Sequence, residues 1–178
     1  MDSDVTDSGA TEAVSLAEAF TREHRDIDTG IEEFLAAQQD AGEGDVRERA
    51  RPLLRAMEAL RRHIYLEEEI VFPHIDSGPL MMPVMVMLRE HGQLWQEMDA
   101  LAATLGAPAD GAENADVGTA GVEDACHRLL SLLEDHNSKE EPVIYPHLDA
   151  DLDHEEQDRV RRLLESGTLP EGWVCRRA

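Results

Sequence analysis

Apolar residues recur along this chain at intervals of three and four, the spacing that places them on one face of an α-helix. A first helix is predicted from near Ser15 to near Gln39, with Phe20, Ile27, Ile31, Phe34 and Leu35 on its stripe. AGEGD at 41–45 breaks it. A second helix begins near Asp45, tolerates Pro52 in its early turns and carries Leu53, Met57, Leu60, Ile64 and Ile70 in line. DSGP at 76–79 is a turn. The third helix presents Val84, Met87, Leu88, Leu94, Met98, Leu101 and Leu105, and the methionines of LMMPVMVML read as flexible core filler. After a long loop at 106–121, a fourth helix aligns Val122, Ala125, Leu129, Leu132, Leu133, Val143 and Ile144. A short amphipathic segment at 154–165 and a polar tail ending GWVCRRA follow.

Four long helices with mostly short connections predict an all-α fold, an up-down four-helix bundle with a short C-terminal helix. The expected organisation is a disordered tail over 1–13, the bundle over 14–150, and a short helix and tail over 151–178. The length of 178 residues suits one domain with a sizeable core. With only 4% aromatic residues, the apolar content comes mainly from Ala, Leu, Val and Met, which favours helix over strand.

Charge narrows the possible partners. A net charge of −23, with Lys139 the only lysine, repels phosphate backbones and anionic lipid, so neither nucleic acid nor a membrane is expected as a partner. The acidic start MDSDVTDSGATEAVS has no basic or apolar targeting region, and no run approaches the roughly 20 apolar residues of a membrane span. A cytoplasmic location is expected. Cys126 and Cys175 form no CxxC and read as a semi-buried thiol and a tail thiol rather than a disulfide.

The anomaly in the pattern is histidine on the apolar stripes. His63 follows Leu60 by three residues, and Glu67 follows His63 by four. An offset of four is about 40° of rotation and about 6 Å of rise, so one helix hands an imidazole and a carboxylate to a single point. His136 and Glu140 repeat the arrangement on the fourth helix. His24 in FTREHRDID and His91 in MLREHGQLW interrupt the other two stripes. The order is H, HxxxE, H, HxxxE, one unit per helix.

Burying four histidines and two glutamates is prohibitive unless their charges are compensated, and two divalent or trivalent cations would do so. The donor set suits iron, manganese or zinc, and two glutamates placed to bridge favour a redox-active di-iron site over structural zinc.

The HxxxE pairs lie in a longer repeat. HIYLEEEIVFPHID at 63–76 matches HNSKEEPVIYPHLD at 136–149, shifted by 73 positions, with Phe72 meeting Tyr145. The shared second glutamates, Glu68 and Glu141, are rotated about 100° from their neighbours and read as solvated or as hydrogen-bonded to ligands. The aromatic–Pro–His endings read as helix-end architecture, with His74 and His147 in packing or capping roles or in a secondary ion site. Tyr65 falls opposite His63, and His127 and His154 read as surface residues.

Over residues from about 15 to 150 this pattern resembles the hemerythrin-like (HHE cation-binding) family of non-haem di-iron four-helix bundles. The competing ferritin-like bundles use ExxH pairs, which this sequence lacks. The resemblance implies that His24, His63, His91 and His136 are terminal ligands, that Glu67 and Glu140 bridge, and that the cofactor is two iron ions (Fe2+/Fe3+) with an oxo or hydroxo bridge. Oxygen-carrying hemerythrins place a second histidine four residues after the third-helix histidine. Trp95 stands there instead, and Glu140 replaces a shorter carboxylate.

The resemblance therefore leaves one iron short of a nitrogen donor, with a position open or water-filled, which favours access by substrate, peroxide or NO over pure oxygen carriage. Asp28, four residues after His24, is a candidate to fill that position or to act beside it, and Trp95 is expected to wall the cavity. The expected function is to bind, and react with, dioxygen, peroxide or NO. The alternatives are a substrate-oxidising oxidase, peroxidase or oxygenase, and iron handling or reversible oxygen carriage. No fused signalling or DNA-binding module is visible, so a sensor would need a separate partner.

Overall fold

The computed structural model describes residues 14–39, 46–106 and 115–178. The tail expected over 1–13 and the break at 41–45 lie outside them. The described residues contain helices and no strands. In chain order the α-helices are α1 (Leu16–Gln39), α2 (Val46–Leu66), α3 (Phe72–Ile75), α4 (Met81–Gly106), α5 (Ala115–Val143), α6 (Leu148–Asp151) and α7 (His154–Ser166). The long helices α1, α2, α4 and α5 form the bundle, and α7 packs across α1 and α2. Asp153 caps α7 by accepting from the Glu156 backbone while the Glu156 side chain accepts from the Asp153 backbone.

The fourth helix starts earlier than its apolar stripe suggests. The predicted loop at 106–121 is helical at Gly106 and again from Ala115. ADVGTAG holds too few apolar residues to show a period, but it also lacks the proline that would stop a helix. Val143, expected on the stripe, is exposed because α5 ends there, one residue after Pro142. The methionines divide in two. Met57, Met87 and Met98 are core, whereas Met81, Met82 and Met85 are exposed on the outer face of the start of α4.

The core is split in two. One apolar cluster gathers Ile27, Ile31, Leu53, Leu60, Leu94, Met98 and Leu129, and the other Phe20, Leu66, Val71, Phe72, Val84, Ile144 and Tyr145. Along each bundle helix a histidine marks the change from one cluster to the other, so a polar layer crosses the bundle between two apolar ones.

Two helix ends shape that layer. Pro73 has no N–H to offer the preceding turn, and α2 widens into a π turn over Glu67–Val71, where the Phe72 N–H donates to the Glu67 carbonyl. In the second copy, Tyr145–His147 form a 3-10 turn instead. Asp149, from the end of that copy, caps α1 by accepting from the Leu16 backbone N–H at 2.8 Å.

Candidate metal centre

The structure brings His24, His63, Glu67, His91, His136 and Glu140 together, all at most 3% exposed. They form two groups of potential ligands that share both glutamates: His24, His63, Glu67 and Glu140, and Glu67, His91, His136 and Glu140. Within each group the donor atoms all lie within 4.8 Å of one another. Asp28 and Trp95 belong to neither group. Trp95 is buried against Trp173 and beneath Arg61, where α4 meets the tail.

Each histidine is held from behind by a glutamate on a neighbouring helix. His63 Nδ1 donates to Glu23 at 2.9 Å, His91 Nδ1 to Glu68 at 2.9 Å, His136 Nδ1 to Glu90 at 3.2 Å, and His24 Nδ1 to Glu141 at 3.0 Å. The glutamates come from α1, the π turn after α2, α4 and α5, and each reaches the next helix around the bundle, so the four contacts close a ring.

The helix geometry explains the ring. Each of these glutamates lies one residue from an inward-facing ligand, about 100° around its helix, which aims it at the seam with the adjacent helix. Glu23 and Glu90 precede their inward neighbour, and Glu68 and Glu141 follow theirs. Alternate helices run in opposite directions, so "before" on one and "after" on the next turn the same way around the bundle axis.

Glu68, for which a solvated position was one expectation, is fully buried, because the π turn brings both Glu67 and Glu68 inside. Two of the four glutamates are held in turn by a cation, Glu23 by Arg62 at 2.6 Å and Glu90 by Lys139 at 2.5 Å, and the Glu68 carboxylate accepts from the Arg176 backbone N–H at 2.8 Å. Glu141, its side chain 36% exposed, faces solvent.

The outcome differs from the sequence reading most at Tyr145, assigned there to helix-end architecture. Its hydroxyl lies 2.8 Å from His24 Nε2 and 3.3 Å from His63 Nε2, and it donates to Glu67 Oε1 and Glu140 Oε2 at 3.2 Å each. Phe72, its counterpart in the repeat, stacks on His91 with ring centroids 5.6 Å apart. One group thus has a phenol oxygen at its face and the other a hydrocarbon ring. His74, by contrast, is helix-end architecture: its Nδ1 donates to the Ile70 carbonyl at 2.6 Å and its Nε2 pairs with Glu156 at 2.5 Å. His147 pairs with Asp151, and His127 and His154 are exposed.

A carboxylate only accepts hydrogen bonds, so each Nδ1 carries a hydrogen, and any imidazole that is neutral turns its Nε2 lone pair inward. His24 Nε2 and His63 Nε2 meet at 3.0 Å, His91 Nε2 faces Glu67 Oε2 at 3.1 Å without the geometry of a hydrogen bond, and Glu140 Oε1 is buried without a hydrogen bond. The single Tyr145 O–H cannot satisfy this many converging electron pairs, which repel, and cations turn that repulsion into ligation. The donor set fits a pair of metal ions.

With protons alone to balance it, the cluster polarises. Burial opposes charging His63, but Glu67 and Glu23 outweigh it and hold its pKa well above the usual histidine range. His136 is raised to about 9, against burial, by Glu140 and Glu90. His24, in contact with His63, is lowered by burial and by that neighbour's charge. Glu67 stays well below the usual carboxylate range despite burial, because His63 and His91 hold its ionised form. Burial and the charges of Glu140 and Glu67 push the Tyr145 phenol well above its ordinary value.

Asp28 lies outside the cluster, in a surface cavity of about 450 Å³ also lined by His24, Glu32, Glu134 and Glu141. Burial and the charges of Glu32, Glu141 and Glu134 raise its pKa to about 6. The favourable protonated state is therefore complete below the unfolded value and is lost as pH rises through about 6. Asp28→Asn should accordingly raise unfolding stability at pH 8 by about 1 kcal/mol after solvent screening, and leave it unchanged near pH 3. Urea melts at both pH values check this, and an equal shift at both would refute it.

Comparison with known families agrees with the geometry. A family model described as the hemerythrin HHE cation binding domain matches residues 15–148. No curated protein and no solved structure matches the chain.

Proposed function

The chain belongs to the hemerythrin HHE cation binding domain family, and from that premise we propose that its centre holds two iron ions and binds dioxygen, peroxide or nitric oxide. His24 and His63 serve one ion, His91 and His136 the other, and Glu67 and Glu140 both. Bound iron would supply a redox-active Lewis acid at which a small diatomic molecule or peroxide exchanges electrons. The observation that carries this reading is the inward set of buried donors with no hydrogen-bond partner, Glu67 Oε2, His91 Nε2 and Glu140 Oε1.

The chain's own residues then divide the work. The four outer glutamates fix which nitrogen of each imidazole faces inward. Phe72 and Leu66 on one side and Leu60 and Leu133 on the other exclude bulk water. Tyr145 Oη holds a proton between Glu67 and Glu140, and would be placed to give that proton up and serve as a further ligand were iron bound there. This asymmetry, a phenol in one half and Phe72 in the other, favours reaction with the bound molecule over simple carriage. Small molecules would approach from the α1–α5 face, where Glu141 and His24 border the acidic cavity.

Anaerobic loading with two ferrous ions per chain, followed by oxygen or peroxide in an absorption spectrometer, tests the proposal. A charge-transfer band that forms with oxygen and disappears under vacuum would favour carriage, and consumption of added peroxide would favour turnover. Tyr145→Phe should abolish any phenol-to-iron(III) band while leaving iron content at two per chain. A chain that binds fewer than two irons would sink the reading.

A further inference from the structure

Residues 173–178 were expected to form a polar tail, but they lie against the bundle. The Cys175 side chain is only 3% exposed and packs in the same cluster as Leu94 and Met98. Trp173 meets Trp95 and Tyr65 edge to face, with ring centroids 5.5 and 5.2 Å apart, and its indole N–H donates to Glu69 at 3.2 Å. Arg177 runs so close over α4 that a β-carbon at Gly92 would collide with its carbonyl oxygen and lie 2.8 Å from its Cβ. Only glycine lets the segment sit this close.

The contact that matters for the metal centre is at Arg176. Its backbone N–H donates to Glu68 Oε2 at 2.8 Å, and its guanidinium donates to the Glu68 carbonyl at 2.8 Å. The other carboxylate oxygen of Glu68 accepts from His91 Nδ1 at 2.9 Å. Both oxygens of one buried carboxylate are thus committed, one to the tail and one to a ligand imidazole. The backbone carbonyl belongs to the π turn that also carries Glu67.

We infer that residues 173–178 are a strap that positions half of the metal centre, with Arg176 setting His91 through Glu68. The inference rests on the proposed metal site. Without the strap, Glu68 loses the donor to one oxygen and is opened to water beside the widened π turn, so it no longer holds a single rotamer behind His91. Coupling of this kind is reciprocal: metal at His91 must tighten the strap by the factor by which the strap tightens metal. Arg176 is a positioning residue, since it touches no ligand directly.

The test uses the full chain loaded with ferrous iron under nitrogen and titrated with a competing chelator, counting iron retained per chain. Gly92→Ala drives the strap off without weakening α4, because alanine is the better helix former. Arg176→Pro removes the backbone donor and the guanidinium together. Each variant, with wild-type far-UV circular dichroism and a red-shifted Trp173 emission, should release one of its two irons at about 10–100-fold lower chelator concentration. Arg176→Lys, which keeps the backbone N–H, should stay near wild type. Trypsin should cleave after Arg176 and Arg177 faster in the metal-free wild type than in the loaded one, by a similar factor. Two irons held with wild-type affinity in both variants, or equal cleavage with and without metal, overturn the strap. A wild type that takes up fewer than two irons overturns the metal reading beneath it, and the strap with it.

Discussion

Metal-loaded protein should unfold roughly 15–30 °C above the metal-free form. Free metal at about 1,000 times each stepwise dissociation constant contributes about 4 kcal/mol per ion bound, about 8 kcal/mol for two. In a domain of this size each kcal/mol moves the midpoint by about 2–4 °C. The structural reason is the polar layer between the two apolar clusters. His63, Glu67, His91, His136 and Glu140 are almost wholly buried there, and Glu67, His91 and Glu140 each leave an atom without a hydrogen bond. Unmatched buried groups of this kind each cost about 1–3 kcal/mol. Differential scanning calorimetry with and without a strong chelator measures the shift, and coincident transitions would mean that the layer satisfies itself without metal.

Glu67→Ala and Glu140→Ala should each reduce bound metal from two ions per chain to none, whereas His24→Ala and His136→Ala should each leave one. The asymmetry follows from the two ligand groups, which share both glutamates but no histidine. Loss of a shared carboxylate removes an anionic donor from both ions and leaves two like charges facing each other without a bridge. Loss of a terminal imidazole leaves the opposite group intact. Elemental analysis after anaerobic loading decides between these outcomes. Equal losses from glutamate and histidine variants would show that the glutamates do not bridge, and unchanged metal content in His63→Ala and Glu140→Ala would remove the metal centre altogether.

Much of this arrangement is legible in one dimension because an α-helix is periodic. The six inward groups were identifiable by their spacing from Leu60, Leu88, Leu133 and the other stripe residues, and the same periodicity indicated the bundle. What escaped was of three kinds. Glu23 and Glu90 stand beside His24 and His91 in the chain, yet each serves the histidine of the following helix. Their only sequence signal is the echo REH, which draws attention to the histidine. Tyr145 lies beyond Pro142, where α5 ends and a 3-10 turn changes the angle per residue, so counting forward from Glu140 no longer tells where its side chain points. Glu68 is buried by a π turn that regular helical geometry does not contain.

The sequence by itself determined which residues share a helix face, because a face is a property of one helix and is set by neighbours three and four positions away. It therefore settled the all-α class and the six-residue constellation. Only the tertiary structure decided what stands behind each of those residues: the closed ring of glutamates, the phenol of Tyr145 on one side against Phe72 on the other, and the strap that ties Arg176 to Glu68 across 108 positions of sequence. Those contacts cross the seams between helices, and a seam depends on the packing of whole helices rather than on the local rotation of any one of them.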